Sequence, residues 1–153
     1  MNLAHLHLVL NHMPVVGIPL ALVFLIHGSI NKNNNSQKFS LWVLTVISVL
    51  ILPVYFTGEP AEHAVEHLPG IFESLIKSHE EAAEVSLVLV LLTGISSCLA
   101  LYFYNQEKKL KNLIKGTILL AIVASGSLAY TANLGGKIRH VEARSDSISM
   151  TGY

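Results

Sequence analysis

The sequence has one cysteine, Cys98. That excludes an internal disulfide framework and any cysteine-based metal cluster. Cys98 stands in an apolar run, where it reads as a small packing residue. Charge is also scarce: 13% of the 153 residues are charged, against roughly 25% in soluble domains. One domain of this size needs a charged shell to stay in water, and this chain has too few charges to build one. The net charge is zero, so bulk electrostatics predict no nucleic-acid partner. No Lys or Arg precedes the first apolar stretch, so Met1-Asn2-Leu3-Ala4 does not read as a cleaved signal. There is no nucleophile–base pair, phosphate loop or dinucleotide fingerprint, and enzyme chemistry is the least supported class.

What is abundant is apolar sequence, 52% of the chain. Roughly 20 apolar residues are needed to cross about 30 Å of hydrocarbon as a helix. Four stretches qualify, at about 6–27, 40–57, 79–104 and 112–133. The expected fold is all-α: an integral membrane four-helix bundle, up-down-up-down, with a short interfacial helix between spans two and three. Residues 1–144 form the single membrane domain and 145–153 a polar tail. Ser78-His79-Glu80-Glu81 reads as a capping box that starts span three. Gly135-Gly136 permits a sharp turn or a close backbone approach after span four. Pro14, Pro19 and Pro53 are expected to bend or locally unwind spans one and two.

Charge segregation predicts an orientation. Lys32, Lys38, Lys108, Lys109, Lys111 and Lys115 fall at the ends joined by the first and third loops. The positive-inside rule makes that side cytoplasmic. Nine of the ten acidic residues lie on the other side, with both termini and the long insert. The expected location is a bacterial inner membrane, multi-pass, with periplasmic termini. Small residues at helical spacing mark contact faces in lipid: span three has Ala82, Ser86, Val90, Gly94 and Cys98, each four apart, and span four has Ala121, Ser125 and Ala129.

Eight histidines are many for such a chain, and seven of them map to the periplasmic end. Ionisable groups at membrane depth point to function. His12 opens Asn11-His12-Met13-Pro14 in span one, His79 heads span three and His140 follows span four. In an up-down-up-down bundle spans one and three face each other diagonally, which would put His12 and His79 at similar depth. Neutral imidazole suits iron, copper or zinc. Glu59 and Glu62, with His63 and His67 one turn apart, lie in the insert. His7 and Glu80 are weaker candidates. Lys137 and Arg139 suit haem propionates or lipid phosphates. His27 is alone at the cytoplasmic end, so it has no partner for a second bis-histidine site.

The chain resembles a bacterial family of small four-span membrane proteins catalogued as domain of unknown function 2231. Asn11-His12-Met13-Pro14, Thr57-Gly58, His79, Gly135-Gly136 and Arg139-His140 carry the likeness. The insert Thr57-Gly58-Glu59-Pro60-Ala61-Glu62 with His79-Glu80 looks like the version found in Bacteroidetes-type bacteria. The family pattern more often has phenylalanine where Met13 stands. No settled activity comes with the resemblance. It selects His12, His79 and His140 among the histidines, and turns attention away from His5 and His27.

Three functions are weighed. The first is a membrane-embedded haem b electron-transfer subunit, with His12 and His79 as axial pair, His140 as a substitute, and Lys137 or Arg139 at the propionates. The second is a non-haem site for zinc, copper or iron, built from His12, His79, His140 and a carboxylate of Glu59 or Glu62. The third is a cofactor-free structural subunit of a membrane complex. The implied partners are the lipid bilayer and a redox or membrane-complex subunit.

Overall fold

The computed structural model describes residues 3–63, 66 and 71–139, with side chains over 5–63, 66 and 71–138. Among the described residues there are five helices: α1 (Leu3–Ile30), α2 (Asn34–Phe56), α3 (Gly58–His63), α4 (Glu73–Tyr102) and α5 (Glu107–Arg139). The apolar spans within α1, α2, α4 and α5 are 26, 23, 30 and 32 residues long. At about 1.5 Å per residue each is long enough to cross a bilayer. The protein is a multi-pass membrane bundle. α1 packs on α2 and α5, and α4 packs on the same two. The helices therefore form a ring in which α1 and α4 sit on one diagonal, α2 and α5 on the other.

Buried positions explain the ring. They run Pro14, Ile18, Ala21, Leu25 and Gly28 in α1. They run Gln37, Ser40, Leu44, Ile47, Ile51 and Val54 in α2, and Ser86, Val90, Thr93, Ser97 and Ala100 in α4. In α5 they are Ile114, Thr117, Ala121, Ala124, Leu128 and Thr131. The steps alternate between three and four, the coiled-coil seam that holds neighbouring helices roughly 20° apart. Many seam residues are small or carry hydroxyls, as association in lipid requires. The hydroxyls of Ser40, Ser48, Thr93 and Ser97 each donate to the carbonyl four residues back. The seam thus stays polar in sequence without leaving donors unmet. Ser48 also reaches Val90 O on α4, at 2.9 Å. A Cβ at Gly94 would overlap Ser48, so that glycine sets the α2–α4 distance.

The helices are longer than their apolar runs. α2 starts at Asn34, capped by the Asn33 side chain, which accepts from Ser36 N. Polar residues expected in loops, at 34–38 and 107–111, belong to the helices. Three expectations are overturned here. α4 begins at Glu73 after Phe72, with no side-chain cap. Ser78 lies inside it, its hydroxyl spent on Ser74 O at 2.8 Å, so there is no capping box at Ser78. Gly135 and Gly136 make no turn, since α5 continues through them to Arg139; the close approach expected as the alternative holds at Gly135, against His79. Cys98 is exposed rather than packed inside, because it falls one position beyond Ser97 on the seam. Pro14, Pro19 and Pro53 all lie within unbroken helices.

Candidate functional site

The α1 seam, continued toward the N-terminus in the same three–four rhythm, passes through Asn11 and His7. The α4 seam, continued likewise, passes through Ala83 and His79. Both imidazoles are half-buried, and they stand close enough to interact electrostatically. Each is tied to the backbone of another helix. His7 Nδ1 lies 3.1 Å from Val54 O and 3.1 Å from Thr57 Oγ1, at the end of α2. His79 Nδ1 lies 3.0 Å from Thr131 O on α5. A carbonyl only accepts, so Nδ1 carries the proton and donates in both rings. In the neutral ring Nε2 is then the lone-pair nitrogen.

Small residues make the seats. A Cβ at Gly135 would come within 3.1 Å of His79 Cε1, and one at Gly58 within 3.7 Å of His7 Cε1. Below the His79 seat three hydroxyls join α4 to α5. Ser86 Oγ lies 2.7 Å from Ser127 Oγ and 2.9 Å from Thr131 Oγ1. Thr131 therefore binds α4 twice, through its hydroxyl and through the carbonyl that receives His79.

Above the imidazoles, α3 brings carboxylates. Glu62 shares a hydrogen bond with Glu80 of α4. Burial, that bond, and the charges of Glu80 and Glu66 push the Glu62 carboxyl up to about 7. Two carboxyls in hydrogen-bond contact need a proton between them, since like charges disfavour double ionisation. His63 bonds to Glu66 at 3.2 Å, which raises its pKa.

The candidates separate as follows. His79 faces inward and His12 does not. His12 follows His7 by five residues, a rotation of about 140° and a further 7.5 Å or so along the helix. It is exposed on the outer face of α1, with Nδ1 donating to Leu8 O of its own helix. It lies against α1 and α2, whereas His79 lies against Thr131, Gly135 and Glu80. Glu59 is exposed on α3, Glu62 is half-buried and His63 is exposed. Lys137 is half-buried near the end of α5. His67, His140 and the Arg139 side chain lie outside the described residues. His27, at the opposite end, bonds with Asn31 of the next turn. No three His, Cys, Asp or Glu side chains among the described residues converge to hold a metal ion.

Depth and seam register single out different histidines on α1. Counting histidines by depth favours His12, whereas counting by seam register (7, 11, 14, 18, 21, 25, 28) favours His7. The register was present in Pro14, Ile18, Ala21, Leu25 and Gly28. It was masked because the outer face of α1 is as apolar as the inner one.

The fold and this end together define a four-span membrane protein with a cross-bundle imidazole pair. The family described as "Predicted membrane protein (DUF2231)" matches residues 4–143, and the chain belongs to it. No curated protein and no solved structure matches the chain.

Proposed function

We propose that the protein is a membrane-embedded electron-transfer subunit in which His7 and His79 would hold one haem b. One observation carries this reading. Two imidazoles on diagonal seams each give Nδ1–H to a neighbouring helix's backbone carbonyl. That bond selects the tautomer, fixes the ring and raises the basicity of Nε2, as it does in metal-ligating histidines generally. The donor set fits a bis-imidazole iron, which needs two such nitrogens and no carboxylate. His12 leaves the axial pair because it is turned to the outer face. Lys137 or Arg139 would meet a propionate, with His140 as the substitute ligand. When bound, haem b supplies a one-electron carrier, and the chain's residues orient it and exclude water. The lysine bias supports placing this end on the periplasmic face.

A second reading, a zinc, copper or iron site, draws on the charge of Glu80 beside His79 and on Glu62 next to it. An absorption spectrum of the purified protein decides between them. The expected result is a sharp Soret band, with split visible bands on reduction, lost in His7→Ala and in His79→Ala and kept in His12→Ala. A colourless protein with one equivalent of metal replaces the haem reading with the second. A colourless, metal-free protein leaves a structural subunit.

A further inference from the structure

At the end opposite the imidazoles, the fold uses some of the lysines and leaves others over. Lys32, Lys38, Lys108, Lys109, Lys111 and Lys115 stand there with one acid, Glu107. Among the described residues none of these lysines forms an ion pair. Two are held by aromatic rings. Lys38 lies 4.5 Å from the centroid of Tyr104, and Lys109 lies 4.5 Å from that of Phe103. Lys32 is in the turn between α1 and α2. The other three, Lys108, Lys111 and Lys115, are exposed on α5. They meet no ring or carboxylate among the described residues.

Spacing puts these three together. Steps of three and four residues, at about 100° per residue, place them within about 60° of one another around α5. Lys115 lies about 10 Å deeper along the axis than Lys108. Side chains on a helix tilt toward its N-terminus, and α5 starts at this end. The stem of Lys115 therefore leans back toward Lys111 and Lys108, which lets its ammonium reach the membrane surface. The same stripe continues into the bilayer through Leu119 and Ile122, 64% and 50% exposed. One face of α5 thus carries three cations at the surface and bare apolar side chains beneath them. Helix stability does not explain the cations. Lys108 and Lys111 sit near the positive end of the α5 dipole, where a lysine weakens a helix.

We infer that this face of α5 binds an anionic phospholipid, with its phosphate among Lys108, Lys111 and Lys115 and an acyl chain against Leu119 and Ile122. The lysines select an anion, as basic clusters beside a span do. The apolar continuation selects an anion that carries its own hydrocarbon. A free phosphate uses only the upper half of the stripe, and an acidic protein outside the bilayer does not reach Leu119 or Ile122. The inference depends neither on haem nor on which side of the membrane this end meets.

The test uses the full chain in a neutral detergent, titrated with phosphatidylglycerol and with phosphatidylcholine, bound lipids being counted by native mass spectrometry. The first phosphatidylglycerol is expected to bind about tenfold or more tightly than phosphatidylcholine, since each lysine near the surface adds up to about fivefold. Replacing Lys108, Lys111 and Lys115 together by Gln brings phosphatidylglycerol down to the affinity of phosphatidylcholine. Replacing the same three by Arg keeps the preference, because the charge stays. Lys38→Gln and Lys109→Gln remove the same charge at the same end and change the preference by less than about twofold. Circular dichroism and elution volume report the fold of each variant. Equal affinity for the two lipids in the unaltered protein overturns the inference, as does full phosphatidylglycerol affinity in the triple Gln variant. An equal loss in Lys38→Gln or Lys109→Gln also overturns it, because diffuse charge would then suffice. Displacement of the lipid by its soluble headgroup, glycerophosphoglycerol, overturns it too and leaves a phosphate site. No step reads a Soret band, so failure here and failure of the haem reading are separate results.

Discussion

The two ends of the bundle differ both in the residues they carry and in how those residues hold the helices together. At the lysine-rich end, backbone and polar side chains staple the α1–α2 hairpin. Gly28 O accepts from Gln37 Nε2 at 3.1 Å and from Asn33 N at 2.8 Å. Lys38 lies over the Tyr104 ring, 4.5 Å from its centroid, and Tyr104 donates to Asn34 O. The one histidine there bonds within its own helix. At the histidine-rich end, imidazoles bridge helices by donating to carbonyls of α2 and α5. One end spends its polar groups on closing the fold. The other leaves ring nitrogens over after its bonds are made, which is what a binding site requires.

The largest expected effect follows from that difference. His79→Ala removes haem completely, whereas His27→Ala leaves the spectrum unchanged and the stability within about 0.5 kcal/mol. If both variants keep haem, the contrast between the ends has no functional meaning. Glycine at each end gives the next test. A Cβ at Gly28 would sit 2.9 Å from the backbone nitrogen of Gln37, which cannot step aside. Gly28→Ala should destabilise the bundle by about 1–3 kcal/mol in detergent unfolding. Gly135→Ala meets only a side-chain ring, so it should shift the Soret band while changing stability by less than about 1 kcal/mol. The opposite pattern would place the structural staple at the wrong end.

Gln37→Leu should cost about 1 kcal/mol, because Gly28 O keeps its bond from Asn33 N. Its spectrum should match the unaltered protein. The smallest effect is on pH dependence. Glu62 holds its proton more tightly in the folded chain, up to about 7 from a usual 4.5. The stabilisation contributed by this proton is then fully present below about 4.5 and is lost as the pH rises through about 7. Glu62→Gln should narrow the difference in melting midpoint between acidic and mildly alkaline buffer. An unchanged difference would mean that the Glu62–Glu80 contact carries none of it.

Much of the fold was legible. Four apolar runs, the lysines around the first and third loops, and the polar insert led directly to four spans and a short helix. Gly94 and Ser86 were correctly read as contact residues, because small side chains in lipid have few other uses. Helix ends were less legible. Ser78 and Gly135 look like a cap and a turn, and both are helix interior, since flanking polar residues continue a helix once it is anchored. The site was legible only as a histidine-rich end. The resemblance pointed to His12, which the outer face holds, and His7 stood among the weaker candidates.

Hydropathy along the chain determined by itself that this protein crosses a membrane four times, because hydrocarbon thickness sets helix length without reference to neighbours. It also determined that the histidines gather at one end. Which imidazoles face inward was decided by the tertiary structure. That choice depends on how each helix is rotated about its axis, and only the packing of all four seams against one another fixes the rotation.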